Sequence, residues 1–371
     1  MSDLTLAVDI GGTKFAAGLV EPDGRVVAAQ RVATPRGGDA ETLWETLTGL
    51  LDRLAPPPGV AGVGIGCGGP MTWPAGEVSP LNMGGWRGFP LRERLAARFP
   101  GIPVRIHNDA ICLAVAEHWR GAGQGSAAML GMVVSTGVGG GLILGGRIVD
   151  GGTGNAGHVG HVVVDPGGPP CGCGGNGCLE AVARGPGLAA WALAQGWSPG
   201  PTGSPGGTGS PGPTGSPGRA RPPEDPGGDP SQPGRASEPG GEPSRDGGEP
   251  SGQGGELYRE EGTATARRLA ADAAAGDPIA LAAMTRAGRA LGIAIASAVN
   301  LCDLDLVTIG GGLSQAGDLL FGPLEEALRE HTRMGFARRV RVVPAALGQD
   351  AGLVGAAALV IAGDRYWSPG P

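Results

Sequence analysis

Two histidines, three of the six cysteines and one glutamate fall within residues 157–180, which read GHVGHVVVDPGGPPCGCGGNGCLE. The chain is otherwise poor in histidine and cysteine, so the clustering itself suggests a chemical role. Thiolates and imidazoles are good zinc ligands, and in a reducing compartment clustered cysteines indicate metal binding or catalysis before disulfides. A disulfide knot, a metal site and an incidental cysteine-rich turn remain the three interpretations.

Three glycine-rich turns each follow a short apolar run that is typical of a buried strand. They lie at residues 11–12, 137–141 and 310–312. Glycine lets backbone N–H groups approach an anion without a Cβ in the way, and such turns bind phosphates. An ordinary hairpin explains any one of them alone, but the three together predict a nucleotide-phosphate cleft. None matches a Walker loop or a dinucleotide-binding fingerprint.

Polar residues beside these turns extend the prediction. Asp9 offers a carboxylate for Mg²⁺ or its water, and Thr13 and Lys14, the only lysine in the chain, add a hydroxyl and a cation. Farther along, VRIHNDAICLAVAEHW predicts a strand that ends at Ile106 and a helix that begins near Asp109. Asp109 could cap that helix or take the proton from an attacking hydroxyl, and the sequence alone leaves both roles open.

The elements that carry these residues repeat along the chain. Residues 4–10, KFAAGLV and RVVAAQRV predict a three-stranded antiparallel meander, and AMLGMVVS, LILGG and RIVDGG repeat it roughly 125 residues later. This repetition indicates an internal duplication with two lobes and a cleft between them. We expect an N-terminal lobe over residues 1–120, completed by a helix at about 350–363, and a C-terminal lobe over 121–349. Other helices are predicted at 39–54, 181–195, 257–275, 279–301 and FGPLEEALREHT.

Composition and charge restrict the remaining possibilities. The 75 glycines and 34 prolines exceed ordinary usage, and residues 196–255 predict a disordered insertion within the C-terminal lobe. The net charge of −7 argues against nucleic acid or an anionic membrane surface as the main partner. No signal peptide or long apolar run stands out, so a cytoplasmic location is expected.

Together these motifs resemble the ROK family of sugar kinases and repressors. The matching stretches are DIGGTK, GVGIGCGGP, SPLNMGGWRGFPL, HNDA, STGVGGGLI, AGHVGHVVVDPGGPPCGCGGNGCLEA and TIGGGLS. The resemblance implies an α/β, two-lobe, actin-like (ribonuclease-H-like) ATPase fold with duplicated βββαβα-type lobes and an interlobe cleft. It also implies ATP-dependent phosphorylation of a hexose. Glucose is the first expectation, and N-acetylmannosamine, N-acetylglucosamine and fructose are the alternatives.

The resemblance also assigns roles by position, with Asp109 as the general base. The residues assigned to the sugar are Asn108, Asp109, His161, Glu180 and, if it lines the pocket, His158. Those assigned to ATP and Mg²⁺ are Asp9, Gly11, Gly12, Thr13, Lys14, Thr136, Gly137 and, on the adenosine side, Gly310, Gly311 and Gly312. Members of the family are usually homodimers or homotetramers, and we expect the same here.

For the cysteines, the resemblance implies a structural Zn²⁺ site that braces the sugar pocket. Its ligands would be His161, Cys171, Cys173 and Cys178. Three thiolates and one imidazole suit a closed tetrahedral zinc site, and three cysteines cannot all pair with one another. The remaining cysteines, at positions 67, 112 and 302, are predicted to be core thiols.

One position departs from the family pattern. The sugar kinases commonly read G-E-x-G-H, whereas this chain has His158 in place of the glutamate. Histidine donates or accepts a hydrogen bond but is not a fixed anion, so His158 either alters sugar selection or is a loop histidine facing water.

Two other functions stay open at this point. A repressor of the same family carries a helix-turn-helix ahead of the first glycine turn, for which the few residues before Asp9 leave no room. The second alternative is a non-catalytic sugar-binding, sensing or scaffold protein. The presence of Asp9, Lys14 and Asp109 argues against that alternative.

Overall fold

The protein, as a computed structural model, is described over residues 3–199 and 265–367. Most of the predicted insertion, residues 200–255, lies outside the described residues, and so does the part of the helix predicted over 257–275 that precedes residue 265. The prediction is wrong for the first residues of that insertion, which pack on the fold: Trp197 is buried, and its indole N–H donates to Asp272 Oδ2 at 3.1 Å.

The first sheet begins with the meander that the apolar runs predict. Its strands are β1 (Thr5–Ile10), β2 (Lys14–Val20), β3 (Val26–Ala33), β4 (Gly62–Cys67) and β7 (Val104–Asn108). They lie in the order β3-β2-β1-β4-β7, with β1 to β3 antiparallel, β4 parallel to β1 and β7 parallel to β4. A short ribbon, β5 (Met71–Thr72) and β6 (Glu77–Val78), follows β4.

The second sheet repeats this pattern. Its strands are β8 (Ala128–Val134), β9 (Val138–Leu144), β10 (Arg147–Ile148), β11 (Leu306–Gly310) and β12 (Arg341–Pro344). Their order is β10-β9-β8-β11-β12, again an antiparallel meander extended by two parallel strands. The predicted duplication within an α/β fold is therefore confirmed.

The helices follow the predicted apolar stripes with some corrections. They are α1 (Ala40–Leu54), α2 (Leu91–Arg98), α3 (Asp109–Arg120), α4 (Leu179–Ala183), α5 (Gly185–Ala194), α6 (Ala266–Ala274), α7 (Pro278–Cys302), α8 (Asp318–His331), α9 (Ala351–Ile361) and α10 (Gly363–Tyr366). The single helix predicted over 181–195 is divided into α4 and α5. The break falls at Arg184, whose backbone is extended, and Pro186 then begins the new helix in its first turn.

Three further predictions need correction. β7 continues to Asn108 instead of ending at Ile106, because the next two residues extend the ladder with β4. Only residues 135–137 form the second glycine turn, and the glycines at 139–141 belong to β9. Cys302 is only partly buried, whereas the other two predicted core thiols are fully buried.

Close approaches at glycine place α3 and α9 between the two sheets. A Cβ on Gly64 of β4 would overlap the carbonyl of Ala356 in α9, and a Cβ on Gly131 of β8 would lie 2.6 Å from Ala114 in α3. The two helices also pack against each other. Because α3 directly follows β7, this packing brings its first residue, Asp109, to the region where the two sheets meet.

Among the described residues, α7 alone has the length and apolar composition of a membrane-spanning helix. Within this fold 61% of its most apolar stretch is buried. Glycines on one face let α8 approach closely: a Cβ on Gly288 would lie 2.6 Å from the carbonyl oxygen of Leu320. The helix therefore has the packing of a core helix.

Candidate active site

The first glycine turn, residues 11–13, connects β1 to β2. The backbone N–H of Gly11 donates to the carbonyl of Lys14 at 3.0 Å, which keeps the turn tight. A Cβ on Gly12 would overlap the side-chain amide of Asn82. Asn82, to which sequence reasoning assigned no role, thus lies directly over the predicted phosphate loop.

Two carboxylates stand beside this turn. Burial and the nearby charge of Asp109 raise the pKa of Asp9 to about 7, although Lys14 and Arg31 act in the opposite direction. Burial also raises the pKa of Asp109. Two neighbouring carboxylates in a buried site either share a proton at neutral pH or bind a cation.

The start of α3 sets the orientation of Asp109. Asn108 holds the N-cap position, and its Oδ1 accepts from the backbone N–H of Ala110 at 3.0 Å. Asp109 Oδ1 accepts from the same N–H at 2.8 Å. Asp109 Oδ2 faces the loop after β4, 3.9 Å from where a Cβ on Gly68 would be. The structure therefore gives the cap position to Asn108 and directs one oxygen of Asp109 toward the loop.

Two other predicted sugar residues, Asn108 and His158, join Asp109 at the loop after β4. A Cβ on Gly69 would lie 3.1 Å from Asn108 Nδ2 and 3.3 Å from His158 Nε2. The ring of His158 is partly buried, which lowers its pKa, and its Nδ1 lies 2.9 Å from the carbonyl of Asn155. In the neutral ring, Nδ1–H donates to that carbonyl and Nε2 is left as a hydrogen-bond acceptor facing the loop.

The predicted metal ligands converge. One ligand atom from each of His161, Cys171, Cys173 and Cys178 lies within 4.8 Å of the other three. The closest pairs are 3.6 Å (Cys171 Sγ to His161 Nδ1) and 3.7 Å (Cys173 Sγ to Cys178 Sγ). A tetrahedron built with Zn–S bonds of about 2.3 Å has edges of about 3.8 Å, so the donor set fits zinc in chemistry and spacing. The ring of His161 stacks on that of His158, with centroids 6.3 Å apart.

Glu180 connects this cysteine cluster to the second glycine turn, residues 135–137. It lies in α4, which begins immediately after the last cysteine ligand. Its Oε2 accepts from the backbone N–H of Val138 at 2.9 Å and would lie 2.8 Å from a Cβ on Gly137. Thr136 is exposed at the tip of this turn, as Thr13 is at the tip of the first.

The third glycine turn, residues 310–312, lies on the second sheet beside the second turn. Gly310 ends β11 and pairs with Val133 of β8. Gly311 has a φ of +94°, and a Cβ there would overlap the carbonyl of Val134. The second and third turns thus form one group, whereas the first turn, Asp9 and Asp109 form another on the first sheet.

Several residues near the site to which the sequence assigns no role fall inside the stretches that carry the family resemblance. The loop at residues 68–69 belongs to GVGIGCGGP, Asn82 to SPLNMGGWRGFPL and His107 to HNDA. The motifs therefore contained the signal, but only the tertiary approach shows which member of each stretch meets the site.

Comparison with known proteins identifies the family. The profile described as "ROK family" matches residues 5–362. The chain belongs to the ROK family. The predicted two-lobe actin-like fold is confirmed by a ROK glucokinase from Streptomyces griseus, solved in complex with glucose and AMPPNP. That structure superposes with a TM-score of 0.69 at 29% identity and covers 96% of this chain and 98% of its own.

Two kinds of curated relative match this chain in different ways. The glucokinase of Thermotoga maritima is 30% identical over 360 residues, which is 96% of each protein. The N-acetylmannosamine kinase of Escherichia fergusonii is 41% identical over 194 residues, which is 52% of this chain and 65% of the relative. The similarity to the glucokinase thus extends over the full chain, whereas the higher identity to the N-acetylmannosamine kinase is limited to about half of it.

Proposed function

We propose that this ROK protein transfers the γ-phosphoryl group of ATP to a hydroxyl of a hexose, with Asp109 as the general base. The observation that carries the proposal is the orientation of Asp109: one carboxylate oxygen is held by the start of α3, and the other faces the loop shared by Asn108 and His158. Similarity to glucokinases over the full chain supports the same reaction.

In this mechanism the hexose lies against the loop at residues 68–69, with its primary hydroxyl at Asp109 Oδ2. Asp109 accepts the hydroxyl proton as the sugar oxygen bonds to the γ-phosphorus and the bond to the ADP oxygen breaks. Burial raises the pKa of Asp109 and so makes it a stronger base than an exposed aspartate. Orientation of the hydroxyl and the phosphate supplies much of the rate.

The glycine turns and Asp9 would hold the nucleotide. Backbone N–H groups of the first and second turns suit the phosphates, and the third turn suits the adenosine side. Asp9 would hold Mg²⁺ or its water, and Lys14 would bind a phosphate oxygen. When bound, Mg²⁺ neutralises charge on the transferred group.

The cysteine cluster would hold a structural zinc ion. With three thiolates and one imidazole, no ligand position is left for substrate. The ion would fix the ring of His161 and, through the stacked rings, limit the movement of His158. It therefore supports the sugar end of the cleft and takes no part in phosphoryl transfer.

Glucose is the first candidate sugar, supported by similarity over 96% of the chain. N-Acetylmannosamine is the second, supported by the 41% identity over 194 residues. His158 presents a neutral acceptor where the family's sugar kinases commonly carry glutamate, which fits a sugar preference different from that of a typical glucokinase. N-Acetylglucosamine and fructose follow. A cytoplasmic location and a homodimer or homotetramer stay predictions.

The proposal is tested by ADP release with ATP and Mg²⁺ over a panel of these four sugars and mannose, with the zinc content of the protein measured first. Turnover on one sugar that is lost in Asp109→Asn supports the proposal, and the ratio of kcat/KM for glucose and N-acetylmannosamine decides between them. Binding of a sugar without turnover of any, by zinc-loaded protein, would instead indicate a sugar sensor.

A further inference from the structure

The histidine immediately before Asn108 is fully buried, and both of its ring nitrogens have partners. The backbone N–H of Asn108 donates to His107 Nδ1 at 2.8 Å. His107 Nε2 lies 2.9 Å from Asp150 Oδ1. Because Nδ1 accepts a hydrogen bond, the proton of the neutral ring lies on Nε2 and is donated to Asp150. The tautomer is thus fixed by its surroundings.

Asp150 belongs to the other half of the site. It follows β10 of the second sheet and begins the 150–158 loop, which ends at His158. The same loop makes another connection to the first half: Asn155 Oδ1 accepts from the backbone N–H of Met71 at 3.3 Å, and Asn155 Nδ2 donates to the Met71 carbonyl at 3.2 Å. Two sets of hydrogen bonds therefore join this loop to residues on the first-sheet side.

Aromatic packing prevents the ring of His107 from turning. Trp73 stacks on it with ring centroids 5.0 Å apart and an interplanar angle of 26°, and Trp367 meets it edge-on at 6.1 Å. The 150–158 loop reaches the same cluster, because a Cβ on Gly154 would overlap Trp73. The ring is consequently held by stacking as well as by hydrogen bonds.

We propose that His107 is a positioning residue for the sugar. It aligns the backbone at Asn108 and Asp109 and, through Asp150, holds that backbone in register with the loop that carries His158. His107 does not touch substrate; it acts through Asn108 and the loop. This inference rests on the proposed function for the identity of the ligand, but its geometric part does not depend on any activity.

Two substitutions separate the two ring nitrogens. In His107→Asn, the side-chain oxygen takes the place of Nδ1 and can still accept from Asn108 N–H, but the connection to Asp150 is lost. In His107→Gln, the amide nitrogen takes the place of Nε2 and can still donate to Asp150, but the acceptor for Asn108 is lost. His118→Gln is the matched control. His118 is also buried, its two ring nitrogens have hydrogen-bond partners in Tyr366 and Ser126, and it lies at the far end of α3.

Hydrogen–deuterium exchange at the Asn108 amide tests the geometry. We expect exchange about tenfold faster or more in His107→Gln than in wild-type protein, and little change in His107→Asn or His118→Gln. Unchanged exchange in His107→Gln would overturn the inference, whether or not the protein is a kinase.

Steady-state kinetics test the positioning role. We expect His107→Gln to raise KM for the sugar about tenfold and to lower kcat, with KM for ATP within about twofold of wild type. His107→Asn should lie nearer to wild type. Asp150→Asn, which keeps an acceptor oxygen for Nε2–H, should lie nearer still.

A merely structural role has a different signature. It would lower the melting temperature and the active fraction of His107→Gln and His118→Gln alike. The KM for the sugar and the KM for ATP would stay unchanged in His107→Gln, and that result would overturn the positioning role. Failure of the proposed function shows separately, as absence of Asp109-dependent turnover by the wild-type protein. In that case calorimetric sugar Kd values of the same variants replace KM. An unchanged Kd, or no sugar binding by wild type, would overturn the inference.

Discussion

The first and second glycine turns occupy the same place in two sheets of identical strand order, yet their side chains differ. The first turn has Asp9 before it and Lys14 directly after it, and the pKa of Asp9 is raised to about 7. The second turn carries no charge of its own. Its nearest carboxylate, Glu180, comes from α4 and is already bonded to a backbone N–H. The duplicated backbone thus provides two similar glycine turns, and we propose that both bind phosphate, with charges for chemistry on the first and structural support on the second.

The largest expected effect in this comparison belongs to Asp9. Asp9→Asn should lower kcat about a hundredfold or more, because it removes a charge that we place at the metal and the phosphates. It should also change how stability depends on pH when Mg²⁺ and nucleotide are absent.

The sign of that pH effect follows from the raised pKa. The pKa of Asp9 is 3.8 in the unfolded chain and about 7 in the folded protein. Between these two pH values the folded state keeps the Asp9 proton, whereas the unfolded state has released it. Wild-type stability should therefore fall as pH rises through this window, by up to about 4 kcal/mol, with the cost complete above about pH 7. Asp9→Asn should lose this slope in denaturant titrations, and the exposed Asp3→Asn should keep it. An unchanged slope in Asp9→Asn would contradict the assignment.

Disruption of the proposed zinc site tests the supporting role of the second half. Cys178→Ser should lose zinc, lower the melting temperature and raise KM for the sugar about tenfold, because the rings of His161 and His158 lose their anchor. KM for ATP should change little. Cys302→Ser, outside the cluster, is the control. Wild-type zinc content and sugar KM in Cys178→Ser would show that the cluster does not brace the site.

Adjacent glycines in the third turn offer a sharper contrast. Gly311→Ala should destabilise the protein by about 3 kcal/mol, because its φ is +94° and a Cβ would overlap the Val134 carbonyl. Gly312→Ala has open space around the new methyl group and should change the free energy of unfolding by no more than about 0.5 kcal/mol. Equal effects of the two substitutions on the free energy of unfolding in denaturant titrations would contradict the left-handed backbone of Gly311 and its close approach to Val134.

The smallest effect is expected at the second turn itself. Glu180→Gln keeps an oxygen that can accept from Val138 N–H and removes only the charge, so kcat should fall by no more than about threefold. Glu180→Ala, which removes the acceptor, should do more damage. A loss for Glu180→Gln as large as that for Asp9→Asn would show that the second turn also supplies a charge for catalysis.

Much of the fold follows from local patterns in the sequence. Alternating apolar runs predict both meanders, and Asp39 with the leucines after it predicts α1, whose first turn it caps. The sequence does not predict β4, because half of its six residues are glycines, which suit the close approach of α9 and are not typical of a strand. The break between α4 and α5 depends on Arg184 adopting an extended backbone, which helix periodicity does not show.

The residues of the candidate site also divide into those that the sequence predicts and those that only the folded structure shows. Asp9, the turn glycines, Asp109 and the cysteine cluster stand out because their types and spacing are unusual along the chain. Asn82, His107 and Asp150 do not, because their roles arise only when distant segments meet. Asp150, for example, contacts a histidine 43 positions earlier in the chain. Hydrogen-bond partners of that kind are determined by the packed fold and not by local sequence.

The central claim is that Asp109 takes the proton while its neighbours hold the sugar. The most direct measurement compares kcat with the calorimetric sugar Kd for wild-type protein and Asp109→Asn on the best sugar of the panel. We expect kcat to fall by about a thousandfold or more while the sugar Kd stays within about threefold. An Asp109→Asn protein that keeps its kcat would show that Asp109 is not the general base.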